Sequence, residues 1–506
     1  MMLDRKQSPT LFSVLNHWCE RDPNKVALVD LFAKVQISYG DLGRKILEFS
    51  RCLKAQGVDH ESRVAVYFLE HATECLALFY AINQLGALWI PINPKSTEEE
   101  FSQLMTLSHA SHLVSDTLPP LWSEMLNQGI GFVGMPLETC SEDLEPDPNP
   151  YPDPGSTVGI LYTSGTTGLP KGVIHSHRSM IGWITAFVYS HRWQADDRIL
   201  NPYPLYHMGG IGFSLAGLSI GATVYLSGPF DPRGILEALI RHQITSMIAV
   251  PTMWTALMAH LPHPFSASEV MPQLKKLSAT SAPLPQAVED NLRKFWPLAD
   301  LYVLYCATEA FFTARRPEDR PRHPRSVGQS AYGMDISIRD DHGQIVPSGQ
   351  PGLVYTRGIS LCEDYSKESQ VPDGTFIAEG WFTCHDVGYL DEEGFLYLLD
   401  RSRDLIKTGG ESVSSLEVEE VILRHAKVQE AAVIGVPDAH WGQRVHAVVK
   451  LIPGESLSTE ELLAFLRRHL SGFKMPKTVQ WVDELPKSSV GKVLKRTLKE
   501  RAPANL

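Results

Sequence analysis

The sequence predicts an α/β protein: a large N-terminal domain of βαβ subdomains with parallel sheets plus a β-rich subdomain, and a small C-terminal α+β domain. Three observations carry this expectation. Strand-like and helix-like runs alternate through most of the 506 residues, the pattern of parallel strands covered by helices. A Pro- and Asp-rich stretch, PDPNPYPDPGS (146–156), and a charged one, DRSRDLIKTGG (400–410), mark two boundaries. The residues beyond the second boundary carry helices and strands of their own. We therefore divide the chain into 1–400, with subdomains near 1–150, 151–325 and 326–400, and 401–506.

The elements follow in order. RVAVYFLE (63–70) is a β-rich run, followed by a helical 73–85 and the strand-like ALWIPI. VGILYTS (158–164) and GVIHSH (172–177) read as two strands joined by a loop, with a helix starting near Arg178. The βαβ alternation recurs at ATVYLSG, ILEALIRHQ and SMIAVP. Two stretches have the length of a membrane span, 76–92 and 209–226. The first contains Asn83 and Gln84, and the second five glycines with a turn at Gly221, so each is expected to be a buried helix followed by a strand. In the last domain EVEEVILRHAKV reads as a helix, and EAAVIGV and RVHAVVKLI as strands. STEELLAFLRRHL is a helix opened by a Ser458–Glu461 capping box.

Composition narrows the class. With 43% hydrophobic and 21% charged residues the chain has material for a sizeable core. A net charge of −12 argues against a nucleic-acid partner, which demands a basic face, yet leaves room for a local basic site. The seven cysteines are scattered without a CxxC pair, which suits free thiols in a reducing, cytoplasmic setting and neither a disulfide scaffold nor a zinc site. MMLDRKQSPTLF has no apolar run after its charges, so no signal peptide is expected.

The stretch YTSGTTGLPKG (162–172) has little that packs a core. Glycines 165, 168 and 172 permit close approach, so backbone N–H groups can face an anion. Thr163, Ser164, Thr166 and Thr167 add hydroxyl donors, and Lys171 adds a charge. The inventory fits a polyphosphate. A Walker loop has Gly before its lysine and Ser or Thr after it; here the neighbours are Pro170 and Gly172.

These eleven residues closely resemble the signature of the adenylate-forming superfamily, which includes acyl-CoA synthetases, firefly luciferase and the adenylation domains of peptide synthetases. Further motifs stand in the family's order across roughly 20–500. The resemblance implies that Thr163 to Gly168 (including Gly165) and Lys171 hold the β- and γ-phosphates of ATP. It places Ser281, Ala282 and Pro283 of SATSAPLP beside adenine and the acyl group, and His207 of YPLYHMGG beside the acyl pocket. In YCATE it implies Tyr305 by the adenine, Thr308 on phosphate, and Glu309 on Mg²⁺, which prefers hard oxygen ligands. Asp386 and Arg401 would hold the ribose. Lys492 of PKSSVGKVLKR would be the catalytic lysine, with Lys487 a lesser phosphate contact. Val303, Leu304 and Cys306 would stand near the pocket floor, where their bulk favours a small or medium carboxylic acid.

The family's chemistry has two halves: a carboxylate and Mg·ATP give acyl-adenylate and pyrophosphate, then a thiol displaces AMP. The resemblance implies a mobile C-terminal lid that swings about Arg403. It withdraws Lys492 and presents Lys407, Gly409 and Gly410 to the thiol. The acceptor is coenzyme A or the phosphopantetheine of an acyl carrier protein; a stand-alone ligase is expected, with coenzyme A the commoner acceptor. YPLYHMGG lacks the Asp that pairs an α-ammonium in amino-acid adenylation domains, which favours an acid without one. A luciferase-like oxygenase and a nucleotide-binding protein without turnover are the alternatives. The chain departs from the family at Cys306 for Gly, at Cys384-His385 for Thr-Gly, and at Leu353 for Glu. A nucleophilic Cys384–His385 dyad is disfavoured because adjacent strand residues face opposite ways.

Overall fold

The structure is a computed structural model and describes residues 9–68, 72–117, 129–135, 152–163, 170–261, 271–489 and 491–502. The described residues form four sheets. One has seven strands: Asp364–Tyr365, Lys171–Ser176, Thr157–Thr163, Leu88–Pro91, Arg63–Tyr67, His112–Ser115 and Gly131–Gly134, in that spatial order. Its body is parallel, and an antiparallel hairpin, 157–163 with 171–176, forms the edge beside 364–365. A nine-stranded sheet runs from Gln329–Ser330 through Asp300–Cys306 and Arg198–Asn201 to Val35–Ser38.

The sheets cut across the borders near 150 and 325. Val26–Asp30 leaves its neighbours in sequence and pairs in parallel with Thr223–Leu226, while 364–365 returns to the hairpin edge. Such crossovers depend on which strands meet in space, which no local pattern encodes.

Helices fill the space between the two large sheets. Ala72–Gln84 and His177–His191 each touch strands of both, and one continuous apolar core runs through them. Met208–Ser219 is apolar all round and buried over most of its length, as a helix enclosed on every side must be. It turns at Gly221 into Thr223–Leu226, the helix-plus-strand expected for 209–226. Among the described residues no helix is long and apolar enough to cross a membrane. Gly182 lets its helix approach the 359 segment: a Cβ there would stand 1.8 Å from the Ile359 carbonyl oxygen.

The strands between 334 and 401, apart from 364–365, form an antiparallel six-stranded sheet. Residues 406–481 form a five-stranded one with apolar clusters of its own. The Ser458–Glu461 capping box opens the helix Thr459–Leu466. The architecture is the α/β class expected from sequence. Four parallel neighbours of the large sheet end on one side, at Asn201, Ala249, Ala279 and Cys306, the side where open α/β sheets place their ligands.

Candidate active site

The hairpin edge of the seven-stranded sheet supplies the first wall. Thr163 and Lys171 stand opposite each other at the end where its strands are joined. Between them, Ser164, Gly165, Thr166, Thr167 and Gly168 lie outside the described residues. The Lys171 ammonium stands 5.9 Å from the centre of the Tyr365 ring, within range of a cation–π contact. Burial lowers its affinity for a proton, Glu309 opposes that shift, and Arg403 adds to it.

Thr308 and Glu309 occupy the turn between strands Asp300–Cys306 and Phe311–Arg315. Three bonds from distant segments hold this turn. The Tyr365 hydroxyl donates to Glu309 Oε1 at 2.6 Å, the Cys362 amide donates to the Glu309 carbonyl at 2.7 Å, and His175 Nε2 meets the Thr308 carbonyl at 2.8 Å. A carbonyl only accepts, so Nε2 carries the His175 proton and Nδ1 is left to receive the Ser179 hydroxyl, 3.1 Å away. Burial pushes His175 down to about 4, and it stays neutral near pH 7.

The antiparallel sheet supplies the second wall. Asp386 and Arg401 are register partners, with Arg401 Nε 3.4 Å from Asp386 Oδ1. The other carboxylate oxygen accepts the Tyr305 hydroxyl at 2.5 Å. Burial and the adjacent carboxylate push the Tyr305 hydroxyl far up, so it remains a donor. Next to Asp386, His385 takes a φ of 60°, its Nε2 meets Thr375 Oγ1 at 2.9 Å, and its carbonyl accepts the Ser402 amide. Burial, then Glu309 and Asp386, raise the Cys384 thiol well above its usual range. It is protonated, and the His385 nitrogen that would serve a dyad engages Thr375 instead.

The C-terminal domain brings Lys492 to this wall. Its backbone is folded into a turn by Ser488, whose amide donates to the Lys492 carbonyl and whose hydroxyl accepts the Lys492 amide. Burial first, then Arg401, pulls the Lys492 ammonium down to about 7, against the attraction of Asp386. Lys487 faces its own domain and pairs with Glu430 at 2.7 Å. Arg403 lies on the junction, 3.9 Å from Asp404.

Two of the residues expected near the acyl group, His207 and Cys306, lie within electrostatic reach of Lys492. His207 caps the helix Met208–Ser219, its Nδ1 accepting the Gly209 amide at 3.0 Å, so the proton sits on Nε2. Burial, then Lys492, lowers His207 to about 4, which keeps it neutral. Ser281 takes a φ of 66°, and Ala282 and Pro283 follow it towards the surface. The Cys306 thiol meets Thr280 Oγ1 at 3.2 Å. Val303 and Leu304 are buried on opposite faces of their strand, and a register shift between Tyr305 and Cys306 turns Cys306 to the Val303 face, so the three do not line one wall. Lys407, Gly409 and Gly410 are exposed at the tip of a separate hairpin, where Lys407 donates to Ser412.

Lys171, Arg401, Arg403 and Lys492 thus stand within electrostatic reach of Glu309, Asp386 or Asp404. Burial is the largest cause of the lowered proton affinities of Lys171, Lys492 and Arg403, and a neighbouring arginine adds to each. A polyphosphate brought to these half-desolvated cations favours their charged forms, so the residues fit ATP. Among the described residues no cluster of three metal-ligating side chains exists. The lone Glu309 carboxylate suits Mg²⁺ carried on phosphate oxygens, which takes one or two carboxylates from the protein. Sequence reasoning missed His175 and Tyr365. His175 lies in GVIHSH, where strand alternation points it inward, and that was its only signal.

Comparison with known proteins supplies the family. The family model described as AMP-binding enzyme matches residues 15–366, and that of the AMP-binding enzyme C-terminal domain matches 417–492. The chain is similar to the indoleacetate–CoA ligase of Aromatoleum aromaticum, 29% identical over 96% of this chain and 98% of that one. It is also similar to the crotonobetaine/carnitine–CoA ligase of Proteus mirabilis, 30% identical over 92% and 93%. Among solved structures it resembles the o-succinylbenzoate coenzyme A synthetase of Bacillus subtilis in complex with ATP and magnesium ion. That likeness has a TM-score of 0.83, with 25% identity over 96% of this chain and 99% of that one. Matched along most of its length by these models and relatives, the chain belongs to the AMP-binding enzyme family.

Proposed function

We infer that the chain is an ATP-dependent carboxylic acid–CoA ligase. In the first half a carboxylate oxygen attacks the α-phosphorus of ATP, the bond to the β-phosphate breaks, and pyrophosphate leaves. In the second the sulfur of coenzyme A attacks the acyl carbon, its proton passes to solvent, and AMP departs with the bonding electrons. The observation that carries this reading is the position of Lys492. It comes from the C-terminal domain, yet Arg401 and Asp386 of the antiparallel sheet act on it. An ammonium there offsets charge gathering on the α-phosphate as the carboxylate adds.

In this reading Thr163 and Lys171 hold the outgoing phosphates, joined by Ser164, Gly165, Thr166, Thr167 and Gly168. Asp386 and Arg401 hold the ribose, and Tyr305 flanks the adenine with Ser281, Ala282 and Pro283. Thr308 contacts phosphate and Glu309 holds Mg²⁺, which when bound neutralises phosphate charge. His207 presents Nε2–H towards the carboxylate, and Val303, Leu304 and Cys306 limit the acyl pocket. Lys492 is the charged group acting on both His207 and Cys306, which supports an acid with an uncharged tail of small or medium size. The names of the relatives support coenzyme A as acceptor. Lys407, Gly409 and Gly410 serve the thiol after the small domain turns about Arg403.

The test is acid-dependent ATP–pyrophosphate exchange across a panel of carboxylic acids, followed by AMP release with coenzyme A. Exchange with at least one acid and thioester formation with coenzyme A are expected. Exchange that leads to thioester only on a phosphopantetheinylated carrier protein would reassign the acceptor. O₂ uptake with light would move the chain to the oxygenases, and no exchange with any acid would overturn the assignment.

A further inference from the structure

Among the contacts that join the C-terminal domain to the N-terminal one, two lie away from the 399–415 junction and outside the charge cluster, at a helix N-terminus and beside Lys492. The first is at the helix Gln286–Phe295, whose N-cap residue is Pro285 and which has no side-chain cap of its own. Its first amide, on Gln286, donates instead to Glu420, whose two carboxylate oxygens each lie 3.2 Å away. Glu420 belongs to the helix Ser415–Ile422 of the other domain, and Arg424 steadies it at 3.8 Å. An exposed first turn leaves backbone donors unsatisfied, and an anion at that end is favoured by the helix dipole. Here the cap exists only while the domains are docked.

The second contact adjoins the catalytic lysine. The Thr252 hydroxyl donates to the carbonyl of Gly491 at 2.9 Å. Gly491 takes a φ of 80°, and a Cβ on it would press on Thr252 Oγ1 at 3.0 Å and Val250 Cγ2 at 3.2 Å. The backbone immediately before Lys492 is therefore seated on the N-terminal domain with no room for a side chain.

We propose that Glu420 and Thr252 are positioning residues forming a two-point clamp that selects the docked arrangement, with Lys492 in the nucleotide pocket. The clamp acts in adenylate formation and is released for thiol transfer. The proposal rests on the two-step reading given above. A contact made in one arrangement and lost in the other adds all of its free energy to the first. Weakening it costs adenylation and spares, or speeds, the step that needs the domain to turn.

The experiment measures the half-reactions separately in Glu420→Ala and Thr252→Val, with an acid that the unmodified enzyme accepts. Exchange of pyrophosphate is expected to fall roughly tenfold or more in Glu420→Ala, where a charged acceptor is lost, and roughly three- to tenfold in Thr252→Val. Thioester formation from supplied acyl-adenylate and coenzyme A should hold at or above the unmodified rate in both. Equal loss of both half-reactions in both variants, or undiminished exchange in either, overturns the clamp. Thr252→Val, nearly isosteric, answers the question where Glu420→Ala folds poorly. Absence of exchange in the unmodified enzyme is a separate result that removes the adenylation reading before any variant is compared.

Discussion

The hydroxyl of Tyr365 lies 2.6 Å from Oε1 of Glu309, joining a short edge strand to the turn after Asp300–Cys306. The same ring faces the Lys171 ammonium. One aromatic side chain therefore orients the carboxylate proposed to hold Mg²⁺ and the lysine proposed to hold phosphate. With Oε1 occupied, Oε2 is the oxygen left for a metal. Partners that orient a metal-binding carboxylate commonly change metal affinity ten- to a hundredfold when removed. Tyr365→Phe keeps the ring and deletes the donor, so the Mg²⁺ concentration for half-maximal exchange should rise roughly tenfold. A magnesium titration of pyrophosphate exchange checks this; an unshifted titration with a lower plateau would refute it.

Lys492 gives the enzyme a basic limb. Its ammonium is held down to about 7 by burial and by Arg401, and the charged form is the one proposed to stabilise the adenylation transition state. Raising the pH through that value removes the cation. The kcat/KM for ATP, which reports the free enzyme, should fall as pH rises above 7. Bound triphosphate favours the cation, so the limb in kcat should lie higher. Lys492→Arg, charged throughout the range, should lower the rate but lose the limb near 7. A limb that survives this replacement belongs to another group.

Much of this site was legible in the sequence because its residues sit at strand ends and in turns, where local motifs are compact. Thr308 and Glu309 follow Cys306 directly, and Asp386 and Arg401 open and close one antiparallel pair. The alternation of strands and helices likewise announced the α/β class. The rest depended on contacts between distant segments. Tyr365 reaches Glu309 because 364–365 returns to the hairpin edge, and Val26–Asp30 joins a sheet built mainly from 198–330. His385 holds a φ of 60° where the resembling motif has glycine, a cost that the surrounding bonds to Thr375 and Ser402 offset. Glu420 capping Gln286 leaves no mark on either segment read alone.

The strand that leaves the Glu309 turn ends in a buried ion pair. Arg315 Nη2 lies 2.6 Å from Glu289 Oε2, with both side chains 3% exposed or less, and Arg320 binds the other oxygen at 2.7 Å. Arg315 ends the strand paired with the one bearing Tyr305. Removing one partner of a buried pair leaves an uncompensated charge, at a cost of about 3–5 kcal/mol. Glu289→Gln keeps the volume and removes the charge, so it should destabilise the protein by about 3 kcal/mol, read from the midpoint of urea unfolding. A shift under a third of that would mean that the pair is not what holds the strand.

The two faces of the C-terminal domain are separated in this structure: Lys492 is in the pocket, while Lys407, Gly409 and Gly410 are exposed. Lys492→Ala should lower exchange by roughly 10²–10³, the scale of losing one preorganised charge at a transition state. It should leave thioester formation from supplied acyl-adenylate near normal. Gly409→Ala should show the reverse. Its φ of 59° and the Trp441 ring, 2.8 Å from a Cβ placed there, make the hairpin tip intolerant of a side chain. The Lys492 turn lies elsewhere on the domain and should be untouched. Stopped assays of each half-reaction decide the matter, and parallel losses in both variants would mean that one fixed arrangement of the domains serves both steps.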